Sequence, residues 1–189
     1  MRRIGITSAI ALLAAMNLSN STFAQQAPNP QAAAPPPCTE NCPAKEVQTS
    51  YARVKGWILK SANETPAEDY SFKPTPDIRT FARVVNHVTE AQAHICGAIN
   101  GSKPDAITVP PETADKATIV AALNASFAEC DKAYASVIDT NMTEMITLGP
   151  VKRSRIGLLW GNYAHDDEQY ATLALYMRLK GLTPPSSEK

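Results

Sequence analysis

Four stretches of this chain place apolar residues alternately three and four positions apart, and that spacing leaves little choice of fold. Val47, Tyr51, Val54 and Ile58 form the first stripe, which Trp57 widens. Ile78, Phe81, Val85, Val88, Gln92, Ile95 and Ile99 form the second. Ile119, Leu123, Phe127, Cys130, Tyr134, Val137 and Ile138 form the third, and Ile156, Leu159, Tyr163, Tyr170, Leu173 and Met177 the fourth. A helix turns once in about 3.6 residues, so residues at this spacing share one face. The stripes predict helices over residues 45–62, from the Thr75-Pro76-Asp77 signal to about Asn100, from Asp115 or Thr118 to about Asp139, and from Ser154 to Leu179. No alternating pattern is long enough for a sheet; only Thr147-Leu148-Gly149 reads as a short extended segment. Four helices, each apolar on one side, bury those sides against one another, so the expected fold is all-α, a four-helix bundle.

The connections carry their own chemistry. Thr65-Pro66-Ala67-Glu68 reads as a capping box with Pro at the first helical position, which predicts a short helical turn. Gly101 suits the end of the second helix. Gly149-Pro150 interrupts the chain before the fourth helix, and Gly181 followed by Pro184-Pro185 ends that helix.

The two ends of the chain read differently from the middle. Arg2-Arg3, an uncharged apolar run from Ile4 to Leu18, and Thr22-Phe23-Ala24 match a secretory signal peptide over residues 1–24, with an uncleaved anchor as the alternative. The run falls short of the roughly 20 apolar residues of a membrane span, so no membrane partner is expected after cleavage. Residues 25–43, rich in Pro, Ala, Gln and Asn, read as a linker, residues 44–185 as the folded domain and 186–189 as a tail. The expected location is periplasmic or secreted. The chain has 18 Lys and Arg against 18 Asp and Glu; without Arg2 and Arg3 the basic count is 16. No basic stripe marks a nucleic-acid partner.

Four cysteines in an oxidising compartment allow three pairings. Cys38–Cys42 and Cys96–Cys130 is the economical choice; reduced, buried Cys96 and Cys130 are the alternative. Cys38 and Cys42 lack the spacing and the following His of a haem attachment site.

Candidate chemistry gathers in Tyr163-Ala164-His165-Asp166-Asp167-Glu168-Gln169-Tyr170. Residues four apart lie about 40° apart around a helix, so His165 and Gln169 project side by side, with Asn162 and Thr172 on the same stripe. Asp166 falls near the apolar stripe, while Asp167 and Glu168 turn outward. His87 sits at the edge of the second stripe. If the second and fourth helices are neighbours, His87, His165 and residue 169 converge, an arrangement suited to a divalent metal with positions left open. The plainer alternative is that each is an ordinary packed, hydrogen-bonded histidine, with His165 and Gln169 forming a core pair beside His87. His94, near a helix end, reads as exposed.

Several segments resemble a secreted branch of the DinB-like (YfiT-like) superfamily of metal-dependent bundles. They are 51–56 (Tyr-Ala-Arg-Val-Lys-Gly), 72–76 (Phe-Lys-Pro-Thr-Pro), 80–88 (Thr-Phe-Ala-Arg-Val-Val-Asn-His-Val) and 176–185 (Tyr-Met-Arg-Leu-Lys-Gly-Leu-Thr-Pro-Pro). The resemblance spans about Val47 to Pro185. It implies a left-handed four-helix bundle, often dimeric, with zinc, nickel or iron held by three histidines; some members transfer or isomerise small thiol compounds. Carried over by position, His87 and His165 are the first two ligands. The third falls on Gln169, where the family usually has His. A carboxamide oxygen is a weak ligand for such ions. Gln169 ligates through its oxygen, or Asp166 or Glu168 substitutes, or the site is degenerate and no cofactor binds. The corresponding expectations are a small-molecule hydrolase or transferase, or a non-catalytic binding or structural bundle.

Overall fold

The computed structural model describes residues 39–103 and 106–188. The segments read as signal peptide and most of the linker, with Cys38 and so the expected Cys38–Cys42 pair, lie outside the described residues. Four long helices carry the fold: α1 (Cys42–Glu64), α2 (Phe81–Asn100), α3 (Lys116–Ala135) and α4 (Arg155–Leu179). A hairpin of β1 (Met145–Leu148) and β2 (Val151–Ser154) precedes α4, and short 3-10 turns occupy Ala67–Ser71 and Pro185–Ser187. Among the described residues no helix is long and apolar enough to cross a membrane.

Helix starts follow local side chains. Thr80, Asp115 and Ser154 each accept a hydrogen bond from the backbone N–H three residues on, satisfying a donor that the helix itself leaves unpaired. α1 begins at Cys42, inside the stretch read as linker, with Pro43 in its first turn where no amide proton is required. α2 starts at Phe81 rather than after Thr75. Thr75 to Ile78 closes a turn instead, through the Ile78 N–H to the Thr75 carbonyl at 3.3 Å, and Ile78 is exposed rather than in the seam. Its place in the second stripe was a coincidence of spacing. The capping box at Thr65 does not form: the 3-10 turn is capped at Pro66 with no side-chain bond, and the Thr65 hydroxyl is buried without a partner.

α3 ends at Ala135, so Ile138 also lies outside its helix and is exposed. The extended segment expected at residues 147–149 is one arm of an antiparallel hairpin pairing Leu148 with Val151 and Met145 with Ser154. Gly149, at φ 57, supplies the positive dihedral that its two-residue turn needs.

The helices form a ring in which α2 lies between α3 and α4, and α1 closes it between α4 and α3. The core is the four predicted stripes, with Val54, Ile58, Val85, Val88, Leu123, Leu159 and Leu173 fully buried. Tyr51 stacks on Tyr134 at 3.8 Å between ring centres. Cys96 on α2 and Cys130 on α3 lie at disulfide distance, their Cα atoms 5.0 Å apart. Ser186, Ser187 and Glu188 each bond to the bundle. The Ser186 amide donates to the Tyr170 hydroxyl at 2.8 Å, Arg178 donates to Ser187, and Lys60 pairs with Glu188.

Candidate functional site

The neighbouring of α2 and α4 brings His87 and His165 face to face. Their Nε2 atoms are 3.1 Å apart and the rings meet edge to face with centres 4.9 Å apart. Both imidazoles are partly buried. Behind each ring stands a carboxylate. Glu90, one turn along α2, places Oε2 3.5 Å from His87 Nδ1, and is itself gripped by both terminal nitrogens of Arg83 at 3.0 Å. Asp166 places Oδ1 3.7 Å from His165 Nδ1. These separations are ion-pair distances, long for hydrogen bonds. They orient each Nδ1 toward negative charge, which favours a proton there and leaves Nε2 as a lone pair. Two lone pairs 3.1 Å apart repel unless a cation, either a proton or a metal, lies between them.

Asp166 is wholly buried. Its Oδ2 accepts from Gln92 Nε2 at 3.0 Å and from Asn162 Nδ2 at 3.1 Å. Gln92 in turn accepts from the Ser126 hydroxyl at 2.7 Å, and Asn162 donates to Tyr134, whose hydroxyl donates to the Leu159 carbonyl at 2.8 Å. A polar chain thus crosses the core from α3 through α2 to α4. At its end, Asp166 Oδ1 and His165 Nδ1 are both buried and without a hydrogen bond. Burial pushes the Asp166 carboxyl above the usual carboxylate range, although His165, Gln92 and Asn162 oppose the shift. Burial first, then the Arg79 guanidinium and His165, hold the His87 imidazole below its ordinary value, partly offset by Glu90.

The other candidate residues separate. Asp166 stands behind His165 with the polar chain, not beside the two Nε2 atoms. Glu168 is exposed. Gln169 is 6% exposed and makes no hydrogen bond among the described residues; it lines a cavity of about 320 Å³ with Arg79, Glu168, Thr172 and Tyr176. His94 is exposed, away from the pair. Among the described residues no three His, Cys, Asp or Glu side chains gather around one point. Glu90, Ser126 and Arg79 were not identified from the sequence as parts of the site, and Asn162, placed on the His165 stripe, was given no role there. Glu90 had a signal, its i+3 relation to His87, and Gln92 another, since a carboxamide in an apolar seam needs a buried partner.

The histidine geometry admits an ion. Two nitrogens each about 2.0–2.1 Å from a tetrahedral zinc-like ion lie about 3.3 Å apart, near the observed separation. The carboxylates behind the rings are the usual second contacts of metal-bound imidazoles. The donor set fits a divalent metal as a two-imidazole site whose third protein donor is, at best, the weak oxygen of Gln169.

Comparison with known proteins agrees with this architecture. The family model of the DinB superfamily matches residues 51–173. A crystal structure of a DinB-like protein from Bacillus cereus ATCC 10987 superposes with a TM-score of 0.60 at 18% identity, covering 75% of this chain and 95% of that one, a likeness of fold. No curated protein matches the chain. The matched segment contains all four helices in whole or part and both histidines, and on that evidence the chain belongs to the DinB superfamily.

Proposed function

We propose that this protein is a metal-dependent bundle enzyme of hydrolase or transferase type, acting on a small molecule outside the cytoplasm. The observation that carries the reading is the pair of Nε2 atoms 3.1 Å apart, each imidazole backed by a carboxylate. His87 and His165 hold the ion, zinc, nickel or iron, and the oxygen of Gln169 is the third donor in family register. The ion supplies Lewis acidity and lowers the pKa of bound water. The chain's residues fix the rest: Glu90 and Asp166 hold both imidazoles in the tautomer with a free Nε2, and Arg83 holds Glu90. The signal-like residues 1–24 and the Cys96–Cys130 pair support an oxidising compartment.

A second reading, a non-catalytic bundle that has lost its metal, is favoured by one observation: Gln169 offers a carboxamide where an imidazole is usual. Metal content of protein purified without chelator or affinity tag decides between them. Stoichiometric metal in the wild type, lost in His87→Ala, is the expected result. Metal held only by a Gln169→His variant would overturn the catalytic reading in favour of the second.

A further inference from the structure

The cavity next to the histidine pair has an unusual charge layout. Its wall is formed by the turn before α2, with Asp77, Ile78 and Arg79, by Val84 on α2, and by Glu168, Gln169, Thr172 and Tyr176 on α4. Arg79 makes no ion pair, and neither Asp77 nor Glu168 pairs with it, although all three line one space of about 320 Å³. All three side chains are exposed, so the cavity presents both signs of charge to whatever enters it. The Tyr176 hydroxyl donates to the Arg79 carbonyl at 2.9 Å and pins the turn to α4.

Gln169 is the second, independent observation. Its carboxamide makes no hydrogen bond to the protein among the described residues, so water satisfies it until a ligand takes that place. At 6% exposure its remaining opening is toward this cavity. A metal takes only its oxygen; its two N–H donors are left for something else.

We propose that this cavity binds the zwitterionic head of an amino-acid-class substrate, with carboxylate on Arg79 and the Gln169 N–H donors, and ammonium on Glu168 and Asp77. A simple anion would meet two carboxylates, and a simple cation would meet Arg79; a head carrying both charges satisfies both sides. Ile78, Val84 and the Tyr176 ring offer apolar surface to its side chain. The assignment rests on the reading of His87 and His165 as the reaction centre, because Gln169 is one helical turn from His165 and Val84 one turn from His87.

L-leucine is a suitable probe, with N-acetyl-L-leucine lacking the ammonium and L-leucine methyl ester lacking the carboxylate. Calorimetric titration of the full chain should show L-leucine binding, and each blocked form binding about tenfold or more weakly, the scale of one lost charge-assisted hydrogen bond. Arg79→Gln should weaken L-leucine binding by a similar factor, as should Glu168→Gln. Both positions are exposed, so unchanged melting and metal content in these variants would locate the loss in the cavity. Equal binding of all three leucine forms, no binding of L-leucine, or undiminished binding in Arg79→Gln would overturn the proposal. Repeating the titration on His87→Ala separates it from the reading it rests on. Leucine binding in a wild type that takes up no metal keeps the subsite and sinks the metal centre; metal uptake without leucine binding does the reverse.

Discussion

Asp166 has no water to solvate it, two amides on one oxygen, and an imidazole beyond the other. Its carboxyl sits above the ordinary value of 3.8, so the folded chain holds this proton more tightly than the unfolded one. By linkage, its contribution to stability is most favourable at acid pH and declines as pH rises from the ordinary value through the raised one. Asp166→Asn has no such decline. The melting temperature of the variant relative to wild type should therefore climb with pH across that window, as thermal melts at several pH values would show. The same substitution removes the charge behind His165 Nδ1 and frees that ring to place its proton on Nε2. Metal affinity, measured by competition with a chromophoric chelator, should drop about 10- to 100-fold, the usual effect of losing a carboxylate behind a ligating imidazole. A variant with unchanged affinity would mean that Asp166 belongs to the core alone.

Helix-level contacts decide how rigidly the histidines are presented. The end of α2 is tied to α3 by Glu129. Its Oε1 accepts from Asn100 at 2.8 Å and from the Ser102 hydroxyl, and its Oε2 pairs with Lys132. The Ser102 and Asn100 bonds hold the Glu129 carboxyl below its ordinary 4.5. A depressed carboxyl contributes stability above the unfolded value and loses it as pH falls through the folded one. Glu129→Gln should therefore cost about 1 kcal/mol at neutral pH and nothing extra in acid, so the two unfolding curves converge once pH falls below the depressed carboxyl value. On α4, Leu173 is fully buried two turns beyond His165. Leu173→Ala should lose about 2–5 kcal/mol in denaturant titration while leaving the Nε2 atoms in place, so metal binding persists in the folded fraction. Thr80→Ala removes the cap of α2 and should cost about 1 kcal/mol.

Across the molecule, the Glu129 clasp, the Gln92–Ser126 hydrogen bond and the Cys96–Cys130 pair all bind α2 to α3, and the cysteine pair closes a loop with a sequence separation of 34. In the chain-entropy model a loop of that size is worth about 3–4 kcal/mol. Reduction, or a Cys96→Ser/Cys130→Ser variant, should lower the denaturant midpoint accordingly; an unchanged midpoint would mean that the bond does not form in solution. The polar chain from Ser126 to Tyr134 spans α2, α3 and α4. Because its members share partners, double substitutions within it should deviate from additivity, whereas Asp166 and Glu129 variants should combine additively.

Much of this was legible before any coordinates. The 3.6-residue stripes named about two-thirds of the buried apolar side chains, though not Val84, Leu158 or Tyr176, because burial of one helix face is what writes that pattern. The pattern misled at Ile78 and Ile138. There, apolar residues fall in phase with helices that stop short of them, at the Thr80 cap of α2 and at Ala135 in α3, and phase alone does not say where hydrogen bonding begins or ends. Candidate ligands on one helix, His165 and Gln169, were legible for the same reason as the stripes. Arg79 and Glu90 were not, since each looks like ordinary surface charge until its neighbours are known.

By itself the sequence determined four helices, the faces they bury and the two histidines at the edges of those faces, all consequences of interactions within a few residues. The tertiary structure alone decided that α2 abuts α4, since neighbouring of helices is settled by how the four faces pack together. From that followed the 3.1 Å between the imidazoles and the carboxamide of Gln169 opening on the cavity beside Arg79. Distances of that kind arise between residues some 80 positions apart, where no local periodicity reaches.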